Sequence, residues 1–108
     1  MHRVVFHPRA KSELDELYDY ISEHGSSQQA ANFVAKIRDY CLGFSIFPER
    51  GTPRDDIEPG VRIVGFRRRV SIVFTVTETE VWILGIYYGG RNFGHRNSMT
   101  RKMLDFRD

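Results

Sequence analysis

The sequence predicts an α+β domain of order βααβββ, in which a helical hairpin packs on a twisted, mainly antiparallel sheet. Two adjacent stretches space their apolar residues as helices do, and three later runs are rich in β-branched and aromatic residues. A connector rich in proline and glycine separates these two groups. At 108 residues the chain has the usual size of one domain, so we expect a single domain over residues 1–108.

The N-terminal run 3–7 predicts a short strand that stops at Pro8. Proline is tolerated in the first turn of a helix, because the N–H groups of that turn have no helical acceptor. A helix is therefore expected from Pro8 to the glycine at position 25. Its apolar stripe is Ala10, Leu14, Leu17, Tyr18 and Ile21. Its acidic residues are expected to form a solvated face, namely Glu13, Asp15, Glu16 and Asp19.

A second helix is predicted to begin at Ser26, because Ser26 and Gln29 have the spacing of a capping box. Pro48 is expected to end it. Cys41 lies on the apolar stripe of this helix, which favours a buried structural thiol over a nucleophile. The stripe is Ala30, Phe33, Ile37, Cys41 and Phe44.

The connector 48–60 is predicted to be a loop, and three strands are predicted over 61–66, 70–76 and 81–88. Short connections between them favour antiparallel hairpins. The last strand is apolar on both faces, which indicates an interior position in the sheet. The tail beyond the glycines at 89 and 90 has the pattern of a short amphipathic helix.

Charge is distributed unevenly along the chain, although the formal net charge is only +2. Residues 1–60 hold seven basic and ten acidic side chains, a balance of −3, whereas residues 61–108 hold nine and four, a balance of +5. This asymmetry suggests an acidic or anionic partner for the C-terminal half.

Cysteine and histidine usage indicates a cytoplasmic protein without a metal site. The lone Cys41 cannot form an internal disulfide, and no apolar run is long enough to span a membrane. No N-terminal stretch has the apolar h-region of a signal peptide, so we expect none. The four histidines lack the spacing of zinc ligands, and no motif indicates a cofactor.

Three short segments, taken in this order of elements, resemble the ParE/RelE superfamily of toxins over nearly the whole chain. They are Pro48-Glu49-Arg50-Gly51, Pro59-Gly60-Val61-Arg62, and Trp82-Ile83-Leu84-Gly85-Ile86 leading into Gly90-Arg91. The resemblance is to the ParE branch, and it implies the toxin of a type II toxin–antitoxin module. A ParD-like antitoxin would neutralise such a toxin within a hetero-oligomer. ParE-like toxins poison DNA gyrase, whereas RelE-like toxins cleave messenger RNA on the ribosome.

Metal-independent RNA cleavage requires a general base, a cation for the phosphorane and a general acid. Segment 61–88 contains neither lysine nor histidine, and arginine is a poor base. The sequence therefore favours a non-enzymatic gyrase inhibitor over the RelE-like alternative, a ribosome-dependent endoribonuclease. On that alternative the candidate catalytic residues are Arg62, Arg68, Tyr87 and Arg91.

Partner binding is predicted for basic side chains at the second hairpin tip and beyond, together with a tyrosine at a strand end. These residues are Arg67, Arg68, Arg69, Tyr88, Arg91 and Arg96. Arginine and tyrosine are enriched among interface anchors. We expect the antitoxin to place an amphipathic helix into an apolar groove on the helical hairpin and to extend along the sheet edge. No direct sequence-specific binding of nucleic acid is expected.

Overall fold

Two helices pack on one face of a five-stranded mixed sheet, as the computed structural model of residues 1–89 describes the chain. The predictions for Arg91, Arg96 and the tail helix lie outside these residues. The elements are β1 (Arg3–Phe6), α1 (Pro8–His24), α2 (Ser27–Leu42), β2 (Thr52–Pro53), β3 (Val61–Phe66), β4 (Val70–Val76) and β5 (Glu80–Tyr88). The strand order is β1-β5-β4-β3-β2, with β1 parallel to β5 and the other pairs antiparallel.

Both helices begin where the sequence predicts. The His7 ring accepts a hydrogen bond from the backbone N–H of Arg9 at 3.0 Å and thereby caps α1, with Pro8 in the first turn. The Ser26 hydroxyl accepts from the N–H of Gln29 at 3.1 Å and caps α2. The predicted end of α2 at Pro48 is wrong. The helix ends at Leu42, and a 3₁₀ turn over residues 43–45 then buries the Phe44 ring.

The three predicted C-terminal strands are confirmed, and β5 lies in the interior of the sheet between β1 and β4. The connector 48–60 also contains a strand, β2, where only a loop was predicted. Its two residues pair with Arg62 and Ile63 of β3. A strand of two residues is too short to show the alternation on which sequence reasoning depends.

Apolar residues fill both faces of the sheet. The helix-facing core includes Leu14, Ile37, Phe44, Phe74 and Ile83. A smaller cluster on the other face holds Ile57, Val61, Val73 and Tyr87. Strands β4 and β5 are joined across a β-bulge. The pairing shifts between Val73 and Phe74, and Leu84 has no partner in the register. Among residues 1–89 no helix is long and apolar enough to cross a membrane.

Glu13 is buried, with 7% of its surface exposed, so the prediction that it is solvated is wrong. Its carboxylate oxygen Oε1 accepts a hydrogen bond from the backbone N–H of Ile86 at 2.9 Å. Strand β1 ends opposite Ile83, and within residues 1–89 no other strand pairs with the remainder of β5 on that side. The α1 carboxylate therefore provides an acceptor where the sheet no longer does. Glu13 follows Ala10 by three residues and precedes Leu17 by four, which places it on the buried stripe.

Candidate partner-binding surface

The turn between β3 and β4 projects three consecutive exposed arginines, which we name the arginine tip: Arg67, Arg68 and Arg69. Arg67 and Arg68 have φ values of 53° and 65°, the left-handed region that residues other than glycine rarely adopt. This conformation costs roughly 1–2 kcal/mol per residue. Phe66 pairs with Val70, so the chain reverses direction within these three residues.

The side chains of the arginine tip have no carboxylate partner among residues 1–89. The one contact described for them is that of the Arg67 guanidinium, which lies 5.3 Å from the centre of the Phe66 ring. Four other arginines in the described part of the chain are engaged within the fold, namely Arg3, Arg50, Arg54 and Arg62. Arg54, for example, forms a bidentate ion pair with Asp56, in which Nε lies 2.9 Å from Oδ1 and Nη2 lies 3.0 Å from Oδ2. The tip is therefore a concentration of positive charge that the described fold does not neutralise.

Tyr88 lies at the same end of the molecule as the arginine tip. It pairs with Val70, and the next residue donates its N–H to the Arg69 carbonyl at 2.7 Å. The Tyr88 side chain is half-buried, and its ring centre lies 6.1 Å from that of Phe33. Both rings line an apolar groove of about 280 Å³, here called the Tyr88 groove, whose lining residues are Ile21, Gln29, Phe33 and Tyr88. The fold thus brings together the predicted binding residues Arg67, Arg68, Arg69 and Tyr88.

The structure does not bring together the described candidates for RNA cleavage. The Arg62 guanidinium donates to the carbonyl oxygens of Arg50 and Gly51, at 2.9 and 3.4 Å, and so holds the β2 segment against β3. Tyr87 is 2% exposed and belongs to the cluster on the face away from the helices. Arg68 lies at the tip of the β3–β4 turn. Arg91, the fourth candidate, is outside the described residues.

A second groove of about 300 Å³ runs between the outer sides of α1 and α2. The sequence predicts an apolar groove on the helical hairpin but not its position, although one signal was present. Ala31 and Ala35 lie one helical turn apart on the exposed side of α2, and their small side chains leave a depression in the surface. Its lining residues are Leu14, Asp15, Tyr18, Ala31, Val34, Ala35 and Arg38.

An exposed apolar patch after α2 was also missed by the sequence reasoning. Leu42, Ile46 and Phe47 are 47%, 61% and 70% exposed. Arg50 stabilises this bend, because its guanidinium donates hydrogen bonds to the carbonyl oxygens of Gly43 and Phe47 at 3.3 and 2.8 Å. The patch is therefore presented on a bend that internal hydrogen bonds fix in place.

The next question is whether residues 1–89 hold a reactive thiol or a metal site, and neither is found there. Cys41 is fully buried, as predicted, and burial raises the pKa of its thiol to about 12. A thiol with so high a pKa is a poor nucleophile at neutral pH. No group of three or more His, Cys, Asp or Glu side chains within residues 1–89 is placed to hold a metal ion.

A solved structure described as the chromosomal ParDE TA system from P. aeruginosa contains a chain that superposes with a TM-score of 0.72 at 26% identity. The match covers 82% of this chain and 96% of that one. The family model for the ParE toxin of the type II toxin–antitoxin system, parDE, matches residues 4–93, and the chain belongs to this family. A search of curated proteins finds no match.

Proposed function

We propose that this ParE-type toxin acts by binding DNA gyrase, without covalent chemistry of its own, and that a ParD-like antitoxin neutralises it in a hetero-oligomer. The observation that carries the proposal is the separation of the three described nuclease candidates. Arg62 is occupied by backbone carbonyls, Tyr87 is buried on the other face of the sheet, and Arg68 stands at a hairpin tip. Acid–base catalysis requires such groups within hydrogen-bond reach of one reacting site.

Binding surfaces, in contrast, are well developed in this small domain. The arginine tip, the Tyr88 groove and the groove between α1 and α2 are all open to a partner. An amphipathic antitoxin helix would place its apolar side chains in a groove of the helical hairpin. Among residues 1–89, β2 pairs with Arg62 and Ile63 of β3 and leaves the remainder of that edge without a strand. An extended antitoxin segment would pair there.

The proposal is tested by adding the purified toxin to a gyrase supercoiling and cleavage-complex assay and, in parallel, to ribosomes carrying a defined message. Gyrase inhibition with an intact message is the expected outcome. Cuts in the message at codon positions, with gyrase unaffected, would instead support the ribosome-dependent endoribonuclease and overturn the proposal.

A further inference from the structure

One row of side chains crosses the face of the sheet that lies away from α1 and α2. The row is Val5, Trp82, Thr75 and Val61, which pair in that order across four strands. Residues that pair directly point to the same face of a sheet. Val61 belongs to the cluster on the face away from the helices, so the whole row lies there. Val5, Trp82 and Thr75 are only half-buried on that face.

A hollow of about 230 Å³ opens beside this row, and we name it the Thr75 hollow. Its lining residues are Glu58, Pro59, Val61, Thr75 and Leu84. The first two belong to the connector before β3, and the other three belong to the sheet. The Thr75 hydroxyl donates a hydrogen bond to the Gly60 carbonyl at 2.9 Å and so fixes the connector against the sheet.

Trp82 lies next to the hollow, because it pairs with Thr75. Its indole N–H donates a hydrogen bond to Glu80 Oε1 at 3.0 Å, and Arg3 forms an ion pair with the same carboxylate. These two contacts lower the pKa of the Glu80 carboxyl. A ring that is oriented before a partner arrives loses little freedom on binding, and tryptophan is enriched among the residues that contribute most to interfaces.

Carboxylates surround the hollow at this end of the strands, whereas the arginine tip lies at the other end. Segments 54–60 and 77–80 contain five acidic residues and one arginine, namely Asp55, Asp56, Glu58, Glu78, Glu80 and Arg54. Asp56 and Glu80 form ion pairs with arginines. Asp55 and Glu78 have no ion-pair partner among residues 1–89. The rim of the hollow is therefore negatively charged.

We propose that the Thr75 hollow and Trp82 receive a basic, apolar segment of DNA gyrase. This inference rests on the proposed function, and it names the face of the toxin that binds the target and the chemistry of the target segment. An apolar side chain of the segment enters the hollow beside Trp82, and neighbouring Lys or Arg residues meet the carboxylates of the rim. DNA does not match this surface, because the same carboxylates repel its phosphates.

Hydroxyl-radical footprinting with mass spectrometry tests whether gyrase covers this face. The toxin is oxidised alone and with DNA-free gyrase A and B subunits, at concentrations where calorimetry detects the complex. Oxidation of Trp82, the single tryptophan of the chain, should slow at least threefold in the complex. Phe47 is 70% exposed on the bend after α2 and should keep its rate.

Two variants of one exposed wall residue test the predicted charge of the target segment. P59K adds a positive charge at the hollow and should weaken gyrase binding at least tenfold, whereas P59E should bind within threefold of wild type or more tightly. S27K carries the same charge change as P59K at an exposed position of α2 and should bind within twofold of wild type. Circular dichroism melts establish that the three variants remain folded.

Binding of gyrase with an unchanged oxidation rate at Trp82 would overturn this inference and leave the proposed function standing. Equal losses in P59K and P59E would also overturn it, as would protection of Trp82 by a 20-base-pair DNA duplex alone. If wild-type toxin does not bind gyrase at all, the proposed function fails and this inference fails with it.

Discussion

Replacing Glu13 with alanine removes the acceptor that α1 provides to β5. The bond joins carboxylate Oε1 to the backbone N–H of Ile86 at 2.9 Å, and the glutamate is only 7% exposed. A hydrogen bond to a charged group contributes about 1.5–3 kcal/mol to the stability of the fold. Leaving a buried N–H without an acceptor destabilises the fold by a comparable amount. We therefore expect the free energy of unfolding to fall by about 2 kcal/mol, equivalent to a drop of roughly 10 °C in Tm for a domain of this size.

Urea unfolding followed by circular dichroism measures this change. The Glu13→Gln variant keeps an oxygen acceptor and should lose about 1 kcal/mol, half the effect, because a neutral acceptor forms a weaker bond. Glu23→Ala, at an exposed position of the same helix, serves as the control and should stay within about 0.5 kcal/mol of wild type. A Glu13→Ala variant as stable as this control would refute the reasoning.

Three further predictions concern the turns and the buried thiol. Gly51→Ala should lower the free energy of unfolding by more than about 1 kcal/mol in urea titrations, because φ is +74° and a Cβ would meet the Ile63 carbonyl; an unchanged midpoint would contradict this. Replacing residues 67–68 by Asn-Gly, which suits two left-handed positions, should raise the free energy of unfolding by about 1 kcal/mol. A lower free energy of unfolding would argue against strain in the turn. The Cys41 thiol, with its pKa raised to about 12, should stay unreactive toward a disulfide reagent at pH 8 until urea unfolds the protein, and rapid native labelling would contradict its burial.

The raised pKa of Cys41 also has a consequence for stability at alkaline pH. In the unfolded chain the thiol ionises near its ordinary pKa of 9.0, whereas in the folded state it holds its proton to about 12. Between these values the unfolded state loses a proton that the native state keeps, so stability falls as pH rises. A Cys41→Ala variant should lack this part of the alkaline slope.

Much of the fold could be predicted because local signals agreed with the tertiary structure. Ser26 with Gln29 marked the start of α2, and the alternation over 70–76 marked β4. Two features escaped because their cause is not local. Helix α2 ends at Leu42, before Pro48 is reached. Thr52 and Pro53 form a strand because they pair with Ile63 and Arg62, eleven and nine residues further along the chain.

The candidate site was predicted in its residue types but not in its surroundings. A run of three arginines between strands is visible in the sequence, and so is a tyrosine at the end of the last strand. That Tyr88 shares a groove with Phe33 follows only from the packing of α2 on β5. Glu13 was misassigned because its charge outweighed its position on the apolar stripe. Helical spacing alone would have placed it inside.

We propose that this toxin acts by binding a protein target. Calorimetric titration of the toxin into purified gyrase measures that binding most directly. We expect a heat of binding that saturates at a fixed molar ratio of toxin to gyrase. No heat at tens of micromolar toxin, together with message cleavage on ribosomes by the same preparation, would contradict it.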